Sequence, residues 1–236
     1  MFSHHGKTRT YRHNLGIASL LSFVAGIVNV VGFIAVQKLT TNVTGHFAFF
    51  VDEVFKLEFW KGFVYFLYIF FFFAGSFVSS LLVEIILKKS DAYVYVIPTI
   101  LEIIILLCAA FFGEWFVARS PDIFAFCLLF AMGMQNSLVT SISNSAVRTT
   151  HLTGLFTDLG IEISQLFFYR HIDQRSKLLS SIKLRLTIIG FFFLGGIAGG
   201  VFYAMLGLYS LAVAAFALAL GIAADRFKLS AAKRQH

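Results

Sequence analysis

Charge is what this sequence has least of: 19 basic and 12 acidic residues make up only 13% of its 236 positions, where a soluble domain carries about 25%. That shortage excludes a wetted globular surface. The space is taken by hydrophobic residues, 58% of the chain with 30 phenylalanines among them, and mean hydropathy reaches +0.84. Cysteine is scarce as well. Cys108 and Cys127 both fall in apolar runs, match no metal spacing and cannot make a disulfide framework, so they are expected as small core residues. No H-x-x-x-H, C-x-x-C or Gly-Lys phosphate loop is present, and no Ser/His/Asp arrangement stands out. His4, His5, His13 and His236 lie near the ends of the sequence without ligand spacing. Enzyme chemistry, a metal and a cofactor are therefore not expected.

What is present is a series of long charge-free runs. Asp, Glu, Lys and Arg are missing from His13 to Gln37, Gly62 to Val83, Ile123 to Val147 and Leu186 to Ala224, while Glu102 alone interrupts Ala92 to Gly113. About 20 apolar residues cross the roughly 30 Å of bilayer hydrocarbon, so four of these runs fit one span each. The run of 39 residues from Leu186 would make a helix of about 58 Å and must fold back, with Gly207 the natural place. Six spans result, at about 15–37, 62–84, 95–115, 122–147, 186–205 and 208–225. The first has a basic lead in Lys7, Arg9 and Arg12, but its apolar run exceeds the 7–15 residues of a signal peptide, so it is expected to stay as an anchor.

The net charge of +7 does not point to nucleic acid, because its placement follows the membrane. With six spans and the N-terminus inside, Lys7, Arg9, Arg12, Lys88, Lys89, Arg148, Arg170, Arg175, Lys177, Lys183, Arg185, Arg226, Lys228, Lys233 and Arg234 are cytoplasmic. Only Lys38, Lys56, Lys61 and Arg119 are outside, and fifteen against four is the positive-inside pattern. Both termini are then cytoplasmic. The stretch Arg170 to Arg185 is an excess of 11 residues over the first copy, basic and serine-containing, and contact with anionic headgroups accounts for it.

The chain also repeats itself. FVAGIVNVV (Phe23–Val31) aligns with FAMGMQNSL (Phe130–Leu138), placing Phe23, Gly26 and Asn29 on Phe130, Gly133 and Asn136. A polar linker and a Thr-Gly pair follow in each copy, Thr44-Gly45 and Thr153-Gly154, and the copies then run without a gap to Glu53 and Glu162. Further on, FFFAGSFVSS (Phe71–Ser80) aligns with FFFLGGIAGG (Phe191–Gly200). The expected organisation is a cytoplasmic segment 1–14, a three-helix repeat 15–117, a second repeat 122–225 and a basic tail 226–236. An odd number of spans per unit turns the second copy upside down, so the fold class expected is an all-α membrane protein of six transmembrane helices in two inverted repeats.

The blocks FVAGIVNVVGF…TTNVTGHF and AMGMQNS…VRTTHLTGLFTDLG resemble the YoaK family of bacterial integral membrane proteins. Two positions depart from that pattern: Asn29 stands where an aspartate is usual and His46 where the first block often has asparagine. The resemblance implies a multi-pass protein of the bacterial cytoplasmic (inner) membrane and names no activity.

Inverted repeats bring equivalent mid-span residues together near the bilayer centre. Asn29 and Asn136 are each the fifteenth residue of their spans, and together with Gln135 they are the candidate substrate-binding groups. Thr44, Gly45, Thr153 and Gly154 mark helix breaks expected to act as gates, each threonine suited to cap the helix start behind it. Glu53, Glu102, Asp158 and Glu162 are candidates for gating or coupling; Glu102 is the one acid well inside a span. The reading is a small secondary transporter for a small-molecule solute, embedded in lipid and suited to form a homodimer. The alternative is a non-transporting membrane scaffold or sensor in which the same amides only lock helices together, since buried amides also serve helix packing.

Overall fold

The structure, a computed structural model, describes residues 10–88, 93–143, 147, 149–169 and 171–233, the last six by their backbone alone. Lys7, Arg9, Lys89, Arg148, Arg170, Arg234, His4, His5 and His236 lie outside the described residues, as do the side chains of Lys228 and Lys233 and most of the segment 1–14. Among the described residues all regular structure is helical: α1 (Tyr11–Val36), α2 (Val43–Phe55), α3 (Phe59–Leu87), α4 (Val96–Arg119), α5 (Pro121–Ser143), α6 (Leu152–Gln165), α7 (Ile172–Leu206) and α8 (Ser210–Lys233). In a bilayer the helix is the natural form for such sequences, because each backbone N–H and C=O must be satisfied within the segment. Among the described residues five stretches are long and apolar enough to cross a membrane, the fifth being Ile172–Phe227, which takes in α7 and most of α8.

Local chemistry sets the ends. Gln37 ends α1 in the left-handed region at φ 54°, and its N–H still bonds to Phe33 O. Ser120 alone separates α4 from α5, and α5 opens on Pro121, whose missing N–H costs nothing in a first helical turn. Gly207, at φ +58°, ends α7 and leads through a single 3-10 turn into α8, at the position where the long apolar run was expected to break.

Three expectations need correction. The helix of the span placed at 186–205 starts earlier, at Ile172, and the segment up to Arg185 forms the first turns of α7, because its Ser, Lys, Leu and Arg residues are compatible with a helix continuing out of the apolar part. Thr44 and Thr153 do not cap α2 and α6, which begin one residue earlier. Asn42 caps α2 by accepting the Gly45 N–H at 3.0 Å, and His151 holds the cap position of α6. Cys108 is exposed and Cys127 half-buried, so neither is a core residue.

Two helix pairs dominate the packing, α1 on α7 and α3 on α5. In each, glycines let backbones touch. A side chain added at Gly26 would strike Phe192 O and Gly196 N, and one at Gly133 would strike Phe72 O and Ser76 N. Gly195 lies on Phe23 O in the same way that Gly75 lies on Phe130 O. Such close approach is how helices associate where lipid removes the hydrophobic drive. The centre of the molecule is α1 and α5, the two most buried stretches, while α3 turns Phe63, Phe66, Phe70, Phe73 and Phe77 outward.

Candidate functional site

Asn29 and Asn136 both sit half-buried on the two central helices, and each reaches the linker that follows its own helix. The Thr41 hydroxyl donates to Asn29 Oδ1 at 2.7 Å, while Thr40 donates to Val28 O at 3.3 Å and rests its side chain on Gly32. In the second half, Asn136 donates to the Thr150 hydroxyl at 2.7 Å and to Met132 O at 3.0 Å, and accepts from Thr149 at 3.3 Å. No hydrogen bond joins the two asparagines. The threonine doublets 40–41 and 149–150 are a feature that both linkers share in the sequence.

Gln135, next to Asn136, points elsewhere. It is fully buried, and both atoms of its amide lack a partner among the described residues. Glu102 on α4 is in the same state, fully buried with both carboxyl oxygens unpartnered.

The Thr-Gly pairs lie in the first turns of α2 and α6. Thr44 and Thr153 are exposed, Gly45 packs near Leu39, Thr153 O accepts the Thr157 hydroxyl at 3.0 Å and Gly154 lies beside His151. The two short helices are then held to their neighbours by different chemistry. Arg185 of α7 clamps α6: its Nη1 donates to Asp158 at 2.8 Å, and its Nε and Nη2 donate to Glu162 at 2.9 and 3.0 Å. Ser181 adds a bond to Glu162 at 2.6 Å. Planar, bidentate pairing of this kind is the strong form of an ion pair. Glu53, the counterpart of Glu162, sits half-buried on α2, and the residue aligned with Arg185 is Tyr65. Accordingly α2 meets α3 through rings, with His46 at 4.5 Å from Tyr68 and Phe49 at 5.3 Å from Tyr65.

That ring cluster is a polar feature the sequence did not single out. His46 is buried with its Nε2 at 2.5 Å from Leu39 O, Lys38 lies 5.2 Å from the Tyr65 ring and 5.9 Å from that of Tyr68, and the Tyr68 hydroxyl donates to Asp122. Burial holds the His46 ring below its ordinary titration range, the Leu39 carbonyl opposes this, and the charge of Lys38 adds to the lowering. The neutral imidazole therefore donates to Leu39 O from Nε2. Among the described residues no group of three His, Cys, Asp or Glu side chains could hold a metal ion.

The model of a family described as proteins of unknown function, DUF1275, matches residues 17–224. That range includes both motif blocks and every candidate residue named above. Neither the curated proteins nor the solved structures contain a match to the chain.

Proposed function

The chain belongs to the DUF1275 family of proteins of unknown function, and on that premise we propose that it is a small secondary transporter or permease for a small-molecule solute. It works with six spans in two inverted three-helix repeats, α7 and α8 crossing separately on either side of Gly207. The contacts support this reading, because they exchange under the alignment of the two copies: Gly26 on Phe192 and Gly196 answers to Gly133 on Phe72 and Ser76.

The observation that carries the proposal is the pair of bonded linkers. Each helix break is tied by threonine to a mid-span asparagine, Thr41 to Asn29 and Thr149 with Thr150 to Asn136. Broken helices in corresponding places of two halves point to a transport site, and a linker held by a few hydrogen bonds can be released without unfolding a span. In this arrangement α6, clamped by Arg185, is the inner gate and α2, resting on rings, the outer one. Asn29, Gln135 and Asn136 line the solute path; Glu53 and Glu102 are the remaining coupling groups. The protein sits in the bacterial inner membrane with both termini in the cytoplasm, surrounded by lipid and able to form a homodimer.

The test is access. With Cys108 and Cys127 replaced by alanine and Asn136 by cysteine, a membrane-impermeant thiol reagent should label the protein in oriented vesicles; an inert thiol in a folded protein would sink the proposal. One observation favours the rival scaffold or sensor: the amides of Asn29 and Asn136 are bonded within their own halves of the chain, as packing alone would have them.

A further inference from the structure

Glu102 and Gln135 are linked by register. Glu102 shares a buried stripe of α4 with Leu106, Ala109 and Gly113, and Gln135 shares one of α5 with Phe124, Leu128 and Ala131. The stripes touch where a side chain added at Gly113 would meet the Phe124 ring at 2.8 Å; Gly113 also borders Leu208, and Leu128 borders Gly32 of α1. With Ser120 alone between them, α4 and α5 form a tight antiparallel hairpin. From the Gly113–Phe124 contact, Glu102 lies eleven residues back along α4 and Gln135 eleven residues on along α5, and eleven residues make about three turns plus 20°. The register therefore puts Glu102 and Gln135 at about the same depth on buried faces of neighbouring helices. Yet no hydrogen bond joins them, and all four of their polar atoms are buried and unpartnered among the described residues. Ser79, on the α3 stripe that carries Gly75 against α5, is a further fully buried polar group whose hydroxyl has no partner among the described residues.

Buried polar groups are normally bonded, and an uncompensated carboxylate in a span is among the most costly of them. Among the described residues no neighbour supplies a charge that balances Glu102. On the elements packed around it, Tyr68 is bonded to Asp122, Arg226 lies over the Tyr93 ring and Asp225 has its own partner. Glu84, Glu114 and Arg119 are exposed, and the Cys108 and Cys127 thiols make no bond to it. Among the described residues that leaves a proton or a bound cation. The groups at hand are mostly acceptors, two carboxyl oxygens and an amide oxygen against one amide NH2.

We infer that Glu102 and Gln135 form a binding site for a small hydrogen-bond-donating monocation of the ammonium or primary-amine class, taken up in exchange for the proton of Glu102. The exchange balances: the carboxylic acid releases one proton, and the carboxylate left behind pairs with the ammonium group while Gln135 Oε1 accepts a second N–H. Transport of that cation against protons rests on the reading above; the binding site does not.

The test uses the full chain in detergent micelles, weakly buffered near pH 7 with an indicator dye, titrated with methylammonium chloride against choline chloride as control. Methylammonium should release about one proton per chain, saturably, and raise the Tm. Glu102→Gln should abolish both effects, and Gln135→Leu should shift the midpoint roughly tenfold, the loss of one charge-assisted bond. No proton release by the unaltered chain, or equal release by Glu102→Gln, would overturn the inference. If Glu102→Gln does not fold, Gln135→Leu decides, and an unchanged midpoint overturns it. The same preparation in proteoliposomes separates the two claims. Binding without flux removes the transporter and keeps the site; flux of some other solute without methylammonium binding removes the site alone.

Discussion

Asn136 spans both threonines of the linker behind it, donating to Thr150 at 2.7 Å and accepting from Thr149 at 3.3 Å, whereas Asn29 makes a single such bond, to Thr41 at 2.7 Å. One side chain of α5 thus holds a helix break that α1 holds more weakly. A polar contact of this kind within a bundle contributes about 0.6–2 kcal/mol.

Asn136→Ala should therefore lower the Tm in detergent more than Asn29→Ala, and both should abolish flux in a chain that still folds. The check is a pair of melting curves beside an uptake assay. Equal melting shifts would mean that the second linker is not held by these bonds.

Gly26→Ala and Gly133→Ala should each destabilise the protein by about 1–3 kcal/mol, the range for overpacking, because the added carbon meets backbone on the facing helix. Gly160 and Gly190, with nothing within 4 Å of an added carbon, are the controls. Alanine there should be neutral or slightly stabilising. The readout is the Tm of the four variants side by side.

Arg185→Met removes the clamp on α6. Asp158 and Arg185 are partly exposed, which screens their attraction, so the loss should be about 1–2 kcal/mol through the bonds to Glu162. Protease nicking within residues 152–165 should quicken, and Glu162→Gln should reproduce most of the effect while Asp158→Asn should not. An identical nicking rate in Arg185→Met would show that α6 is held by packing alone.

His46 makes stability depend on pH with a definite sign. Its folded value lies below the ordinary 6.5, so between those values the unfolded chain binds a proton that the folded chain refuses. The contribution is complete above about 6.5 and is lost as pH falls through the folded value. The Tm difference between the unaltered chain and His46→Gln should shrink on acidification from pH 7.5 to 5; a difference independent of pH would mean that the ring titrates normally.

Much of the architecture could be read directly. Charge-free runs located the membrane-crossing stretches, and Gly207 marked the break in the last of them. The repeats placed Gly26 with Gly133 and Gly75 with Gly195, the glycines at the two closest helix contacts. The clamp of α6 was not legible, because Arg185 and Glu162 are 23 positions apart and nothing local distinguishes this arginine from the other basic residues before the apolar run. Cys108 was misplaced for a related reason: in lipid, an apolar run tells which residues are out of water but not which face inward.

Helicity and immersion in lipid follow from composition alone, since a chain with so little charge and such long apolar runs must satisfy its backbone within each segment. The division of the polar residues into bonded and unbonded ones belongs to the tertiary structure. Gln135 and Asn136 are consecutive in the chain, but on a helix they point about 100° apart. One turns to a threonine linker, and the other turns into the protein, where its amide has no partner among the described residues. Only the packing of α4 and α5 decides which direction holds a partner.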